Sequence, residues 1–466
     1  MGEGRKPVLF VSNPGAGVFN PLRVIAAELA RRGTEDLWFA TDESCRADIE
    51  SIDEGSGVRF ASLGETDPLQ SPADWDDEMY RLATQRSRWK AHHAVVRRGF
   101  DPDSGEQKYL ALDALVEELK PALMIFDSVN PVALMIALRR NIPYVLSSPF
   151  LPSNLLITRT PRGFPMLHTG LPLDMSFPQR VYSNVFKIRA ALMFLHPRML
   201  RLALKGISYA KQIQLPKEAL RPSAKVDRAD LVLCYTVFGL EYPFPLPDKF
   251  HLVGAIIPPL PEAQDDRDLS GWLDANPSVV YVGLGTITRL TRPEVHALVE
   301  VARRLDGRHA VLWKLPAGQQ QFLPPREELP PNLRIESWIP SQLDVLAHPN
   351  VALFFNHGGA NAFHESLYFG KPQVIRPLWV DCYDQAVRGV DSGVSLTLDD
   401  PQTIDVDDVV GKITQVLDTP SFRERAEFFA KAQQEAGGTR VAADLILGNP
   451  ALKRSDQVMP KDVATS

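Results

Sequence analysis

The chain has 466 residues, 44% of them hydrophobic and 23% charged, which suits two or three ordinary globular domains. A formal net charge of −6 argues against a nucleic-acid partner. Three cysteines, Cys45, Cys234 and Cys382, are odd in number and far apart, which argues against a disulfide frame or a zinc site and for a reduced, cytoplasmic compartment.

The first apolar run, VLFVS at residues 8–12, is too short for a signal peptide and is ended by Pro14 and Gly15. No run of about 18 apolar residues follows anywhere, so no membrane span is expected. The run reads instead as a buried strand, followed by the loop NPGAGVFNP and an amphipathic helix, PLRVIAAELARRG, closed by Gly33. DLWFAT is the next strand, and strand–helix–strand at this spacing is a βαβ unit of a parallel sheet. GVRFASLG continues it, residues 70–120 are helical, and ALMIFDSV and NIPYVLSSP add two buried strands. Ser12, Asp127 and Ser147 fall at strand carboxyl ends, where such sheets collect ligands.

Residues 150–225 break the alternation with a proline-rich loop and a basic, apolar helical stretch that holds no acid between Asp174 and Glu218. Two readings stand: a mobile insertion over an apolar pocket, and peripheral contact of residues 180–211 with an anionic membrane. ADLVLCYT closes a first domain at about residue 250, and residues 251–270, Pro-rich and then acidic, read as a linker. A second alternating domain is expected over 271–448, with one long final helix from SFRERAEFF to LILG and a disordered tail over 449–466. The fold class is therefore α/β, two doubly wound Rossmann-like domains. GAGVFN and GLGTIT each lack the third glycine of a dinucleotide fingerprint.

The most informative stretch runs from Trp338 to Gln385. The apolar run VALFF reads as a buried strand, and His357-Gly358-Gly359-Ala360-Asn361 follows as a small-residue turn into a helix. That order builds an anion site: free N–H groups and the positive end of the helix dipole converge, and the paired glycines admit a phosphate. Glu365, one turn into the helix, and Asp381, Asp384 and Gln385 after the next strand are candidate acceptors for sugar or ribose hydroxyls.

This box resembles the donor site of the UDP-dependent glycosyltransferases of family 1, which have the GT-B fold. The family pattern is W-x-P-Q, H-x-G-x-N-S-x-x-E, G-x-P and P-x-x-x-D-Q. Trp338, Pro340, His357, Gly359, Asn361, Glu365, Gly370, Pro372 and Pro377 match it. Gln342 sits one position late, after Ser341, and the last pair is stretched to DCYDQ, a form more similar to fungal members. The resemblance implies that the second domain binds a UDP-sugar as co-substrate, with no other cofactor and no metal, and that the first binds the acceptor. Trp338 would stack on uracil and Gln342 meet its edge. His357 and the N–H groups around Gly359, Asn361 and Ala362 would hold the diphosphate, with the Gly285-Thr286 turn against it. Glu365 would take the ribose, and either Asp381 or the pair Asp384 and Gln385 the transferred sugar.

The acceptor loop departs from the family. Where members carry G-H-x-N-P, with the histidine as general base, this chain has Gly17-Val18-Phe19-Asn20-Pro21. Val18 takes no proton, and a positioned base is worth roughly 10²- to 10⁴-fold. Asp127 matches the family's partner aspartate and becomes the candidate base, its pKa raised by apolar walls of Val18 and Phe19, with Asn20 beside them. Another histidine, His92, His93, His168 or His196, is the second option, and a catalytically silent chain the third. The implied activity is inverting transfer of a hexose, glucose first, to a hydroxyl of an apolar molecule, phenolic or polyketide-like before sterol or lipid. A nucleotide-sugar epimerase on the same fold and a silent UDP-sugar binder are the alternatives.

Overall fold

The computed structural model describes residues 7–53, 57–66, 71–99, 105–262 and 267–455. Two fully parallel sheets organise the described residues. The first has the order β3-β2-β1-β4-β5-β6-β7. Its strands are β1 Val8–Val11, β2 Leu37–Thr41, β3 Val58–Ser62, β4 Leu123–Asp127, β5 Tyr144–Ser148, β6 Leu231–Cys234 and β7 Phe250–Leu252. The second comprises β8 Val279–Gly283, β9 Ala310–Lys314, β10 Leu333–Glu336, β11 Val351–Asn356, β12 Gln373–Ile375 and β13 Ser395–Thr397, in the order β10-β9-β8-β11-β12-β13.

In both sheets the order reverses beside the first strand, between β1 and β4 and between β8 and β11. Parallel strands are buried on both faces, and this is why they read as unbroken apolar runs: every residue of β1, β4, β5, β6 and β8 is buried. Separate apolar cores lie on the two faces of each sheet. The insertion is a helical hairpin, Phe177–Met193 and Pro197–Gln212, after an irregular stretch that contains His168, Thr169 and Gly170.

Several expected boundaries shift. The GVFNP segment is not loop but the opening of the helix Ala16–Arg31, with Pro21 inside it. Phe19 is buried against the edge of Phe39, 5.7 Å between ring centroids, in the core beneath the first sheet. Val18 is buried and Asn20 exposed. The linker is shorter than 251–270 at both ends, because Phe250–Leu252 pairs with β6 and a helix spans Arg267–Ala275.

The long final helix is broken at Gly437 and Gly438, whose φ values of +89° and +48° carry the chain through a left-handed corner. The first half, Pro420–Ala436, packs Ala426 and Phe429 on the second domain. The second half, Gly438–Leu447, buries Ala442, Ala443 and Ile446 in the first domain's core, so the second domain does not run on to residue 448. Pro450–Ser455 is helical rather than disordered, and the rest of the expected tail lies outside the described residues.

At Gly254, with φ +74°, an added Cβ would stand 2.6 Å from the Gln433 carbonyl oxygen. Gly254→Ala is expected to destabilise the protein by about 1–3 kcal/mol. Differential scanning fluorimetry would show this as a lowered Tm, and an unchanged Tm would contradict the tight seam.

Candidate active site

The carboxyl ends of β8, β11 and β12 lie side by side at the second sheet's switch point, the place where open α/β sheets take ligands. Each ends in a turn that projects site residues. After β8 come Leu284, Gly285 and Thr286, the last two exposed. After β11 come His357, Gly358 and Gly359 and then the helix Ala360–Tyr368. After β12 comes the helix Val380–Asp391.

The middle turn is fixed from below. The Asn356 side chain accepts from the Gly358 N–H at 2.7 Å and donates to Gln373 at 2.7 Å, and Gln373 donates on to the Phe363 carbonyl at 3.0 Å. Asn356 and Gln373 are fully buried and support the site without facing it. They look like ordinary strand residues in the sequence, and only their pairing across β11 and β12 reveals the role.

The His357 ring is held between two glycines. A Cβ on Gly285 would lie 2.6 Å from it and one on Gly359 2.3 Å from it, so both positions need a hydrogen there. Trp379 lies against the ring, centroids 5.4 Å apart. Burial pushes the imidazole down to about 4, so it is neutral at pH 7. Its Nδ1 is buried with no protein partner, an unspent polar group at the mouth of the turn.

The first helical bond beyond the turn runs from the Phe363 N–H to the Gly359 carbonyl. The N–H groups of Ala360, Asn361 and Ala362 precede it and point out of the helix end. Gly359 is the N-cap and supplies no side-chain cap. The Ala362 methyl is buried in the core with Tyr281 and Phe354, so of this residue only the main chain serves the site.

Two of the expected donor-site side chains are otherwise engaged. Gln342 does not present its amide to a base edge: its Nε2 donates to Glu365 at 2.7 Å and its Oε1 accepts from the Tyr281 hydroxyl at 3.3 Å. It positions Glu365, whose burial raises its carboxyl to about 7. Asp384 is 3% exposed and its two oxygens accept the main-chain N–H groups of His168 at 2.6 Å and Gly170 at 3.0 Å, across the cleft in the first domain. Asp381 and Gln385 lie one helical turn apart on the same face of that helix. Burial raises Asp381 to about 7, and the Gln385 Oε1 is buried without a protein partner. Trp338 is 66% exposed, with the Lys314 ammonium 4.4 Å from its ring centroid on one face. The other face is left for a flat ring.

On the first domain's side, Asp127 ends β4 and is fully buried. Its carboxylate accepts the Asn13 N–H at 2.9 Å, the Val129 N–H at 3.0 Å and the Asn13 side-chain amide at 3.4 Å. Burial raises it to about 6, against partial compensation from these donors and Lys225. Phe19 is no wall of this group, since its ring turns to Phe39. The histidine candidates separate. His92 and His168 face each other with their Nδ1 atoms 2.8 Å apart, both held down near 3 by burial. His93 lies beside Trp89, and His196 caps the second hairpin helix through the Arg198 N–H.

Two Rossmann-like domains, each with its switch point beside its first strand, define the GT-B fold class. The family described as "UDP-glucoronosyl and UDP-glucosyl transferase" matches residues 106–433, and the chain belongs to that family of UDP-glycosyltransferases.

Among its relatives, UDP-glucuronosyltransferase 2B14 of Oryctolagus cuniculus is 24% identical over 433 residues, 86% of this chain and 76% of the relative. UDP-glucuronosyltransferase 2B7 of Homo sapiens is 25% identical over 335 residues, 69% of this chain and 59% of the relative, so the chain spans under two thirds of that protein. In fold it is similar to a glycosyltransferase of kitacinnamycin, with a TM-score of 0.70 at 21% identity over 97% of this chain and 99% of that one. It is also similar to a UDP-glucose:anthocyanidin 3-O-glucosyltransferase in complex with UDP, with a TM-score of 0.63 at 18% identity over 97% of this chain and 100% of that one. Each of these is a sugar transferase by its own description, which favours transfer over the epimerase reading.

Gly285→Ala drives a methyl into the His357 ring and is expected to weaken UDP binding at least about tenfold, the order of one lost charge-assisted hydrogen bond. Titration calorimetry reads the affinity while circular dichroism confirms an intact fold. Undiminished binding would place the diphosphate elsewhere.

Proposed function

We propose that the chain moves a neutral hexose, glucose, from UDP to a hydroxyl of an apolar small molecule, with inversion at the anomeric carbon. The observation that carries this reading is the His357 ring fixed between Gly285 and Gly359, its Nδ1 unspent beside three outward N–H groups. Those dipoles and the neutral imidazole meet the charge growing on the leaving diphosphate, and no metal or other cofactor enters the proposed step. Trp338 takes the uracil, Glu365 the ribose, and Asp381 with Gln385 the hexose. A cytoplasmic site of action belongs to the same reading, supported by three cysteines that are all free and buried.

The donor preference follows from charge. The sugar end of the site holds Asp381 three residues from Asp384, whose negative charge adds to burial in opposing the ionisation of Asp381. A hexuronate would add a third carboxylate to this buried corner and meet like-charge repulsion. UDP-glucose should therefore turn over at least about tenfold faster than UDP-glucuronate, a difference of about 1.4 kcal/mol. A UDP-release assay over phenols, sterols and macrolides, with mass spectrometry of products, tests both substrates; equal rates with the two donors would overturn the donor assignment.

For the acceptor, a phenolic or polyketide-like aglycone fits best. The inner side of the hairpin packs Phe186 edge-on to Trp89 at 5.2 Å and to His92 at 5.2 Å, a buried aromatic cluster that backs the His168 segment held by Asp384. Asp127 is the proposed base. Near 6 it is a better proton acceptor than either member of the His92–His168 pair. The acceptor hydroxyl would displace the 3.4 Å Asn13 amide contact, the longest of the three on that carboxylate. A phenol, with a pKa of about 10, gives up its proton far more readily than an aliphatic alcohol and suits so weak a base.

Asp127→Asn is expected to lower kcat by about 10²-fold or more while leaving UDP affinity intact. The same variant carries a stability signature. The folded carboxyl sits above its ordinary value of 3.8, so the native state favours the protonated form. The stability gained from that proton is complete below pH 4 and is lost as pH rises through 6. The Tm of Asp127→Asn relative to the parent should therefore rise between pH 5 and pH 8; a difference independent of pH would show that Asp127 titrates normally.

A further inference from the structure

The helical hairpin has two faces of different character. Its inner face is built into the protein: Ser183, Phe186 and Met193 of the first helix and Met199 and Ala210 of the second are buried. Its outer face is apolar and open. Phe177, Val181, Val185, Ile188 and Leu192 recur at helical spacing along the first helix, with Phe177 80% exposed. Leu200, Leu204 and Ile207 continue the stripe on the second, and Leu195, 70% exposed, sits in the turn between them. So many large apolar groups on one exposed surface mark a contact site.

Charge selects the occupant. From residue 177 to 212 the chain carries seven Lys or Arg and no Asp or Glu, within a protein of net charge −6. Arg180 and Arg189 flank the first stripe and Arg201 borders the second. A second copy docked on this face would set cations against cations. Among the described residues no helix is long and apolar enough to cross a membrane, so the face suits lying on one. We propose that this hairpin seats the protein on an anionic lipid bilayer, with the apolar stripes in the acyl boundary and the arginines among the headgroups.

The seat adjoins the cleft. Phe186, on the inner side of the same helix, packs on His92, His92 pairs with His168, and the His168 N–H is held by Asp384. If the functional reading above holds, an apolar acceptor dissolved in the bilayer is delivered close to the sugar. The lipid contact itself does not rest on that reading.

The test is co-sedimentation of the full chain with vesicles. Pure phosphatidylcholine is one arm, and phosphatidylcholine with phosphatidylglycerol at about three to one is the other. Binding is expected to the anionic vesicles only, and to weaken steeply between about 0.05 and 0.5 M salt. Ile188→Glu and Leu204→Glu should each cut it by about tenfold or more, and Arg189→Gln and Arg201→Gln by about fivefold each. UDP affinity by calorimetry should stay unchanged in all four, which shows that they fold. Absence of binding to anionic vesicles, or equal salt-independent binding to both kinds, overturns the proposal. So does a concentration-dependent dimer, seen by light scattering, that Ile188→Glu dissociates.

Discussion

The cleft exists because one helix, Val380–Asp391, belongs to both domains. Asp384 and Arg388, one turn apart on it, both reach into the first domain. Asp384 accepts the His168 and Gly170 N–H groups, and Arg388 pairs with Glu241 at 3.2 Å, where neither partner is more than 4% exposed. A buried ion pair survives only when its remaining valences are filled. Here Glu241 also accepts the Ser153 and Tyr242 N–H groups at 2.9 and 2.8 Å, and the guanidinium lies 4.2 Å from the Tyr242 ring centroid. The adjoining face of this helix carries Asp381 and Gln385. Asp381 and Gln385 are therefore fixed in register with the first domain by the helix that carries them.

A second clasp closes the other side. Arg289, three residues beyond Thr286, donates its main-chain N–H to the Tyr80 hydroxyl at 3.0 Å and its guanidinium to Asp77 at 2.8 Å and to the Trp75 carbonyl. The turn after β8 is thus also tied to the first domain, though through a more exposed contact than the Arg388–Glu241 pair.

Much of this was legible in the sequence. Unbroken apolar runs gave both sheets, because a strand covered on both faces has no polar register. The strand–glycine–helix order over residues 351–368 is likewise present, with Gly359 as the helix N-cap. What spacing does not encode is which partner a polar side chain chooses. Gln342 and Asp384 lie in the site's sequence motif, yet one holds Glu365 and the other holds the His168 loop, a partner more than two hundred positions away. Phe19 shows the same limit from the apolar side: a helix beginning at Ala16 rather than after Pro21 rotates its ring into the core. The break at Gly437 was hidden because two abutting helices share one apolar pattern across the corner.

That corner matters for how the halves are joined. The chain crosses between domains once near Gly254 and again at Gly438, and the crossings lie against each other, with the Gly438 N–H on the Val253 carbonyl at 2.7 Å and the Thr439 hydroxyl on the Ile257 carbonyl at 2.7 Å. Two strands of chain are pinned side by side there. Beside them Val237 and Leu240 of the first domain pack with Phe363, Leu367 and Phe429 of the second, so the seam at the crossings is apolar as well as hydrogen-bonded.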